Sequence, residues 1–207
     1  MKRCFIYSAG TFYGLRERPQ PDDYQIAADA GLLLCQKLGI EPNLVIGDFD
    51  SMPQPENEPT VRVPVEKDDT DMMLAIKKGL ERGCREFHLY GGTGGRRSDH
   101  TVANYQALLY LARRGARGWL YGNGEIYTAV CGKGEITFPA RADGILSVFC
   151  LGEMAAGVTI RGAHYSVENA VLTPDFPLGC SNHFIGRPIT VSVDRGDLLL
   201  GLHEVEE

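Results

Sequence analysis

Short apolar runs alternate with longer amphipathic stretches through the first half of the chain. The runs at residues 3–8, 25–28, 43–47, 60–65, 86–90 and 118–121 predict strands. They carry few polar positions, the pattern of strands buried on both faces of a parallel sheet. The stretches between them predict helices. Residues 32–38 close at Gly39, a C-terminal stop. Residues 71–82 place Met73, Ile76 and Leu80 at helical spacing and stop at Gly83. Residues 101–114 place Val102, Tyr105, Leu109 and Ala112 on one face, with Arg113 and Arg114 in the last turn and Gly115 after it. The alternation predicts an α/β fold, an N-terminal mostly parallel sheet with helices on both faces.

After Gly122 the pattern changes. Glycines punctuate short runs such as GEITF, ILSVFC, GVTI, PITVSV and DLLLGL, and helical spacing disappears. Strands at regular turn spacing predict a C-terminal all-β sandwich. The expected domains are therefore residues 1–122, an α/β domain, and residues 123–207, a β-sandwich.

The chemistry gathers where the predicted strands end. The second strand runs into Asp29-Ala30-Gly31 and the third into Asp48-Phe49-Asp50-Ser51. The fourth runs into Lys67-Asp68-Asp69-Thr70-Asp71, and the fifth into Gly91-Gly92-Thr93-Gly94-Gly95-Arg96-Arg97-Ser98-Asp99-His100. In an open parallel sheet, ligands bind beyond the carboxyl ends of the strands. Asp48 and Asp50, two residues apart, point the same way if the turn stays extended, and both can share a hard cation. In the Lys67–Asp71 cluster, Asp69 or Thr70 can cap the following helix and Asp71 complements its positive end. Three aspartates in four residues exceed what capping needs, so the others are candidate metal ligands and Lys67 a phosphate contact. The glycine run lets a backbone approach a phosphate and offers N–H donors, with Arg96 and Arg97 as forked partners. It is neither a P-loop nor G-x-G-x-x-G. Asp29 is either a turn residue or part of the same site. In the second half, Gly179-Cys180-Ser181-Asn182-His183-Phe184 reads as a turn by pattern. Alternatively, Ser181 and Asn182 hydrogen-bond a heterocycle with Phe184 packed on it.

Composition narrows the field. With 207 residues, 43% hydrophobic and 23% charged, the chain has the makeup of an ordinary globular protein of one large or two small domains. The net charge of −6 disfavours a broad nucleic-acid surface and requires local cations or metal to hold an anionic substrate. Six cysteines lie scattered without C-x-x-C spacing, which disfavours zinc. The apolar stretch at the N-terminus is too short for a signal peptide, and no run approaches the ~20 apolar residues of a membrane span. A cytoplasmic location without membrane or nucleic-acid partners is expected.

Taken in order, the four motifs resemble the thiamine pyrophosphokinase (thiamine diphosphokinase) family. Ala28-Asp29-Ala30-Gly31, Gly47-Asp48-Phe49-Asp50-Ser51, Glu66-Lys67-Asp68-Asp69-Thr70-Asp71 and the run Gly91 to His100, followed by Thr101-Val102-Ala103-Asn104, carry the resemblance. It implies transfer of the terminal diphosphate of ATP to the hydroxyl of thiamine, with Mg2+, releasing AMP. It also implies a homodimer with active sites at the subunit interface. By motif, Asp48, Asp50, Asp71, Asp68 and Asp99 fall to the metal and phosphate centre. Of these, Asp71 is the choice for the group that orients or deprotonates the attacking hydroxyl. Asp29, Lys67, Gly92, Thr93, Gly94, Gly95, Arg96, Asp99 and His100 fall to the nucleotide. Ser181 and Asn182 fall to a thiamine pocket in the C-terminal domain. Three positions depart from the family pattern. Ala30 stands where a glycine is usual, and His183 where an acidic residue is common. Trp119, the only tryptophan, gives no counterpart to one that stacks on the pyrimidine in some members. Two rival readings remain at this point. One is a DxD-type metal-dependent phosphatase; the other is a non-catalytic nucleotide-binding regulatory module.

Overall fold

Tyr7 and Tyr90 end two neighbouring strands whose side chains are almost wholly buried, and the site is built outward from there. The structure, a computed structural model, describes residues 1–48, 59–62, 68–95 and 97–204. These divide into two compact units, Met1–Ala107 with Gly115–Asn123, and Leu108–Arg114 with Gly124–Glu207.

The first unit holds β1 (Arg3–Tyr7), β2 (Tyr24–Ala28), α1 (Gly31–Leu38), β3 (Leu44–Gly47), β4 (Thr60–Arg62), α2 (Asp71–Glu81), β5 (Glu86–Tyr90) and β6 (Arg117–Tyr121). Helix α3 (Ser98–Ala112) starts in this unit and ends in the second. The strands pair in the order β6-β5-β1-β2-β3-β4, every pairing parallel. This is the mostly parallel sheet that the apolar runs predict. Residues 4–7 of β1 and 87–90 of β5 are buried throughout, as strands covered on both faces must be. The fourth expected strand is described only over β4, because residues 63–67 lie outside the described set.

The strand order reverses once. From β1 the chain adds β2, β3 and β4 on one side, then places β5 and β6 on the other. The gap between β1 and β5 is thus a topological switch point, where turns leaving adjacent strands diverge and open a crevice.

The helix faces differ from expectation. In α2 the buried positions are Met72, Ala75, Ile76 and Gly79, one step around from Met73 and Leu80. In α3 they are Asn104, Ala107, Leu108, Leu109 and Leu111, while Val102 is 57% exposed. From Ala107 to Ala112 helix α3 is apolar on every side, so spacing alone left its core face ambiguous. It also starts three residues earlier than the pattern suggests, at Ser98, and stops before Arg113.

The second unit contains β7 (Glu125–Cys131), β8 (Gly134–Phe138), β9 (Ile145–Cys150), β10 (Ala155–Arg161), β11 (Val167–Leu172), β12 (Gly179–His183), β13 (Ile189–Val193) and β14 (Asp197–His203). Within it, β12-β9-β14-β7 and β11-β10-β13-β8 form two antiparallel sheets. Leu146, Val148, Leu198 and Leu200 of one and Ile136, Val158, Ile160 and Val191 of the other are buried, the all-β sandwich that the glycine-punctuated runs predict.

Candidate active site

Four turns leave the carboxyl edge of the sheet side by side, after β5, β1, β2 and β3. The β5 turn is the glycine loop. Gly91, Gly94 and Gly95 have φ of 68°, 70° and 80°, angles that side chains resist. Gly92 has a negative φ but no room, because a Cβ there would lie 2.6 Å from Leu120 Cδ1 and 3.0 Å from Asn104 Nδ2. Asn104, buried in α3, donates from Nδ2 to the Gly92 carbonyl at 2.7 Å and so ties the loop to the helix behind it. A cavity of about 230 Å³ opens here, lined by Ser8, Ala9, Gly10, Gly91, Gly92, Gly94, Gly95, Arg97, His100 and Asn104.

Of the nucleotide candidates, Gly92, Gly94, Gly95 and His100 line this cavity. Thr93 is buried and its hydroxyl donates to the Tyr121 carbonyl at 3.3 Å, so it anchors the loop to β6. Arg96 lies outside the described residues. Arg97 is at the cavity and forks onto Asp99, with Nε–Oδ1 at 2.9 Å and Nη2–Oδ2 at 2.6 Å. That hydrogen-bonded guanidinium holds the Asp99 carboxyl at a pKa of about 2, although both side chains are exposed. Asp99 therefore stands in the first turn of α3 as a fixed negative charge.

Asp29 follows β2 with φ of 51°, a left-handed angle that aspartate tolerates better than most residues. Its N–H donates to the Ile46 carbonyl at 2.7 Å, which aligns the ends of β2 and β3. Ala30 has φ of −61°, so the alanine that replaces the usual glycine sits at an ordinary helical angle. Gly31 cannot vary so freely, because a Cβ would lie 2.0 Å from the Tyr7 carbonyl oxygen. Asp48 follows β3 and is half-buried. Asp50 and Lys67 lie outside the described residues. In the next cluster Thr70 caps α2 by accepting from the Met73 N–H at 3.2 Å. Asp69 pairs with Lys77 at 2.5 Å, Asp68 is exposed, and Asp71 opens the helix.

No three acidic, histidine or cysteine side chains among the described residues converge closely enough to enclose a metal. The donors at these strand ends are nonetheless all carboxylates. That suits Mg2+, which takes one or two protein carboxylates and fills its other positions with substrate phosphates and water. The residues present therefore fit the cation by donor chemistry.

A buried polar chain lies beneath the cavity. His88 Nδ1 and the Tyr121 hydroxyl are 2.8 Å apart. Burial, with Arg3 nearby, lowers the His88 pKa to about 4. Its Nε2 is 3.2 Å from a Glu86 oxygen but lacks hydrogen-bond geometry, so the pair is not an ion pair at neutral pH. Burial pushes the Tyr121 hydroxyl well up, and Tyr90 to about 12.

In the second unit Ser181 and Asn182 lie in β12 rather than in a free turn. Ser181 has φ of 61° at a register break, is exposed, and donates its N–H to Ser147 Oγ at 3.1 Å. Asn182 is buried. Its Oδ1 accepts from the Tyr165 and His183 N–H groups, each at 2.9 Å, and its Nδ2 donates to the Tyr165 carbonyl at 2.7 Å. The amide thereby fixes the backbone of Tyr165, whose ring is 62% exposed. Phe184 is a core residue, 3% exposed, and offers no face to a ligand. Ser8, Ala9, Gly10 and Asn104 were not singled out as site residues by sequence. A polar Asn on the buried face of α3 and a glycine just past β1 were the available signals.

A parallel sheet with a glycine-lined cavity at its switch point and aspartates at the adjacent strand ends defines a nucleotide-using phosphotransferase. Residues 17–120 match the family model described as thiamin pyrophosphokinase, catalytic domain, and residues 134–198 match thiamin pyrophosphokinase, vitamin B1 binding domain. The chain belongs to the thiamin pyrophosphokinase family. It is similar to thiamine pyrophosphokinase of Bacillus subtilis, at 28% identity over 183 residues, 84% of this chain and 85% of that one. A crystal structure of the Geobacillus thermodenitrificans thiamin pyrophosphokinase superposes with TM-score 0.87 at 26% identity, covering 99% of each chain. One from Bacillus subtilis gives 0.89 at 24% identity, over 99% of this chain and 100% of that. The function of the chain is that of its family, a kinase reaction that transfers pyrophosphate from ATP to thiamine. This displaces the phosphatase and the non-catalytic readings. No helix of the described residues is long and apolar enough to cross a membrane.

Proposed function

We propose that ATP binds in the glycine-lined cavity at the β1/β5 switch point, and that its phosphates run toward the aspartates after β2, β3 and β4. The observation that carries this is the order of turns along one sheet edge: glycine loop, β1 turn, Asp29, Asp48. Gly92, Gly94, Gly95, Arg96 and His100 contact the nucleotide, with Thr93 bracing the loop. Asp29 and Lys67 serve the nucleotide as well, Lys67 as a phosphate contact. Asp48, Asp50 and Asp71, together with Asp68 and Asp99, would hold Mg2+. Bound there, the cation would neutralise phosphate charge and stabilise AMP as a leaving group. The protein contributes mainly placement and fixed charge, the usual division of labour in phosphoryl transfer. Asp71 orients the thiamine hydroxyl and accepts its proton as that oxygen attacks the β-phosphorus.

Thiamine is held by the second unit, on the Ser181 side of β12. Asn182 acts by presenting Tyr165, an exposed aromatic ring on which a flat heterocycle can stack. That ring supplies what Trp119 cannot, since Trp119 belongs to β6 of the first unit. The acceptor side of one subunit serves the catalytic unit of another in a homodimer, and the enzyme works in the cytoplasm.

The test is to incubate the protein with ATP, MgCl2 and thiamine and follow AMP and thiamine diphosphate by mass. Both should form together and require Mg2+. Asp71→Asn should lower kcat by about 100-fold or more with an unchanged circular dichroism spectrum. A kcat near that of the wild type would remove Asp71 from the centre.

A further inference from the structure

The cavity at the switch point has a second wall that does not come from the glycine loop. Residues 8–23 leave β1 and return as β2 without forming a helix. They begin by bonding to the other side of the crevice. The Ser8 N–H donates to the Tyr90 carbonyl at 2.9 Å, and the Gly10 N–H donates to the Gly91 carbonyl at 2.9 Å. The approach is as close as backbones allow. A Cβ on Gly10 would lie 2.3 Å from the Gly91 oxygen, and one on Gly91 would lie 2.3 Å from the Ser8 oxygen. Further along, Tyr13 closes on the loop, its hydroxyl 2.4 Å from where a Gly94 Cβ would be.

The same segment is fastened again at Glu17, by one residue. The Tyr90 hydroxyl accepts from the Glu17 N–H at 3.0 Å and donates to the Glu17 carbonyl at 2.9 Å. Tyr90 itself is immobilised. It is 1% exposed, stacked on Tyr121 at 4.6 Å and on Tyr7 at 5.9 Å, with the Phe12 ring tilted against it at 6.2 Å. Arg3 adds a lower anchor, reaching the Arg18 carbonyl and the Asp23 carboxylate. Tyr90 thus holds both ends of residues 8–17, by its carbonyl at Ser8 and its hydroxyl at Glu17. Ser8, Ala9 and Gly10, at the start of that strap, line the cavity opposite the glycines.

We propose that residues 8–17 form the second wall of the nucleotide site, and that Tyr90 is the positioning residue that sets where this wall stands. The proposal rests on the assignment of ATP to the glycine-lined cavity. It concerns a segment that, but for Glu17, precedes the family match, which begins at residue 17. A ligand between two diverging turns is gripped from both sides only if both turns are fixed. The glycine loop is fixed by Asn104 and Thr93; the strap has Tyr90.

Tyr90→Phe tests this, because it keeps the stacked ring and removes both bonds to Glu17. The expected result is a KM for ATP raised about 5- to 10-fold, with kcat and the KM for thiamine within about twofold of wild type. Amide hydrogen exchange should quicken over residues 9–17 and not in β5 or β6. A residue that only stabilises the core would lower Tm and the active fraction while leaving the KM for ATP unmoved, and that outcome overturns the proposal. Ala9→Asp is the second arm. Ala9 is exposed, so the variant should fold, and it sets a carboxylate on the strap facing the phosphates. Its KM for ATP should rise about tenfold, with thiamine unaffected. A KM for ATP within about twofold of wild type in Ala9→Asp overturns the proposal even if Tyr90→Phe fails to fold. Wild-type protein that forms no AMP from ATP would instead remove the nucleotide assignment, and the strap's role with it.

Discussion

Asp29 at φ 51° and Ala30 at φ −61° divide the first motif into a left-handed position and an ordinary helical one. The carboxylate takes the left-handed angle, so its neighbour need not be glycine. Gly31 must be, because of the Tyr7 carbonyl 2.0 Å from any Cβ there. A sequence shows three residues in a row and cannot tell which of them carries the backbone constraint. The lysine–aspartate cluster divides in the same way once Thr70 is seen to cap α2 and Asp69 to pair with Lys77. The titration of His88 is likewise invisible in sequence, because its cause is burial. Unfolded, the imidazole takes a proton near pH 6.5; folded, it does so only near 4. Between those values the unfolded chain binds more protons, so stability falls as pH drops from about 6.5 to about 4, by up to roughly 3 kcal/mol. His88→Asn keeps a partner for the Tyr121 hydroxyl and removes the titration. Urea midpoints at pH 7 and 4.5 should drop less in that variant than in wild type. Equal drops would assign the acid sensitivity to other groups.

At the scale of elements, strands were the more legible. Their apolar runs are short, bounded by turn residues and matched by β1, β2, β3, β5 and β6 to within a residue at each end. Helix faces were less so, and Gly79 shows why. It sits inside α2 where propensity argues against glycine by about 1 kcal/mol. A Cβ there would lie 2.5 Å from Phe87 Cε1 and 3.0 Å from Cys4 Sγ, and both partners are fully buried. The face that presses on β1 and β5 is therefore marked by an absent side chain, which hydrophobic spacing does not register. Gly79→Ala gains helix propensity but overpacks a rigid contact, at about 1–3 kcal/mol. The second effect should win, lowering Tm by several degrees in a thermal melt; an unchanged or raised Tm would show that the helix can shift outward. In the second unit, β11 and β12 lacked the run signature. Residues 167–172 carry Glu168 and Asn169 in mid-strand and bury only Leu172, while residues 179–183 are mostly exposed and polar and β12 is interrupted by a register break at Ser181. They are strands because neighbouring strands supply their partners.

At the scale of the whole molecule, the proposed homodimer makes a prediction that no single chain can meet. In an isologous dimer each active site takes one contribution from each subunit. Asp71→Asn protein and Tyr165→Ala protein should each be nearly inactive, yet a refolded equal mixture should recover about a quarter of wild-type activity, since half of its dimers carry one intact site. Sedimentation at twice the chain mass should accompany it. A monomer, or a mixture that stays inactive, would put both contributions on one chain. That Asp29, Asp48 and the glycine loop directly follow strands was legible, as they follow β2, β3 and β5. Aspartates and glycines directly after apolar runs mark the carboxyl ends of strands, a matter of local order along the chain. So were the two fold classes, because hydrophobic period follows backbone geometry. Which ends become neighbours was not written locally. Pairing of β1 with β5, 83 residues apart in the register Cys4 to Phe87 and its neighbours, brings Ser8–Gly10 against the glycine loop and creates the cavity between them. The roles of Asn104, Asn182 and Tyr90 were decided at the same level. Each is a polar side chain whose partner is a backbone group distant in sequence, and only the packed fold determines which backbone that is.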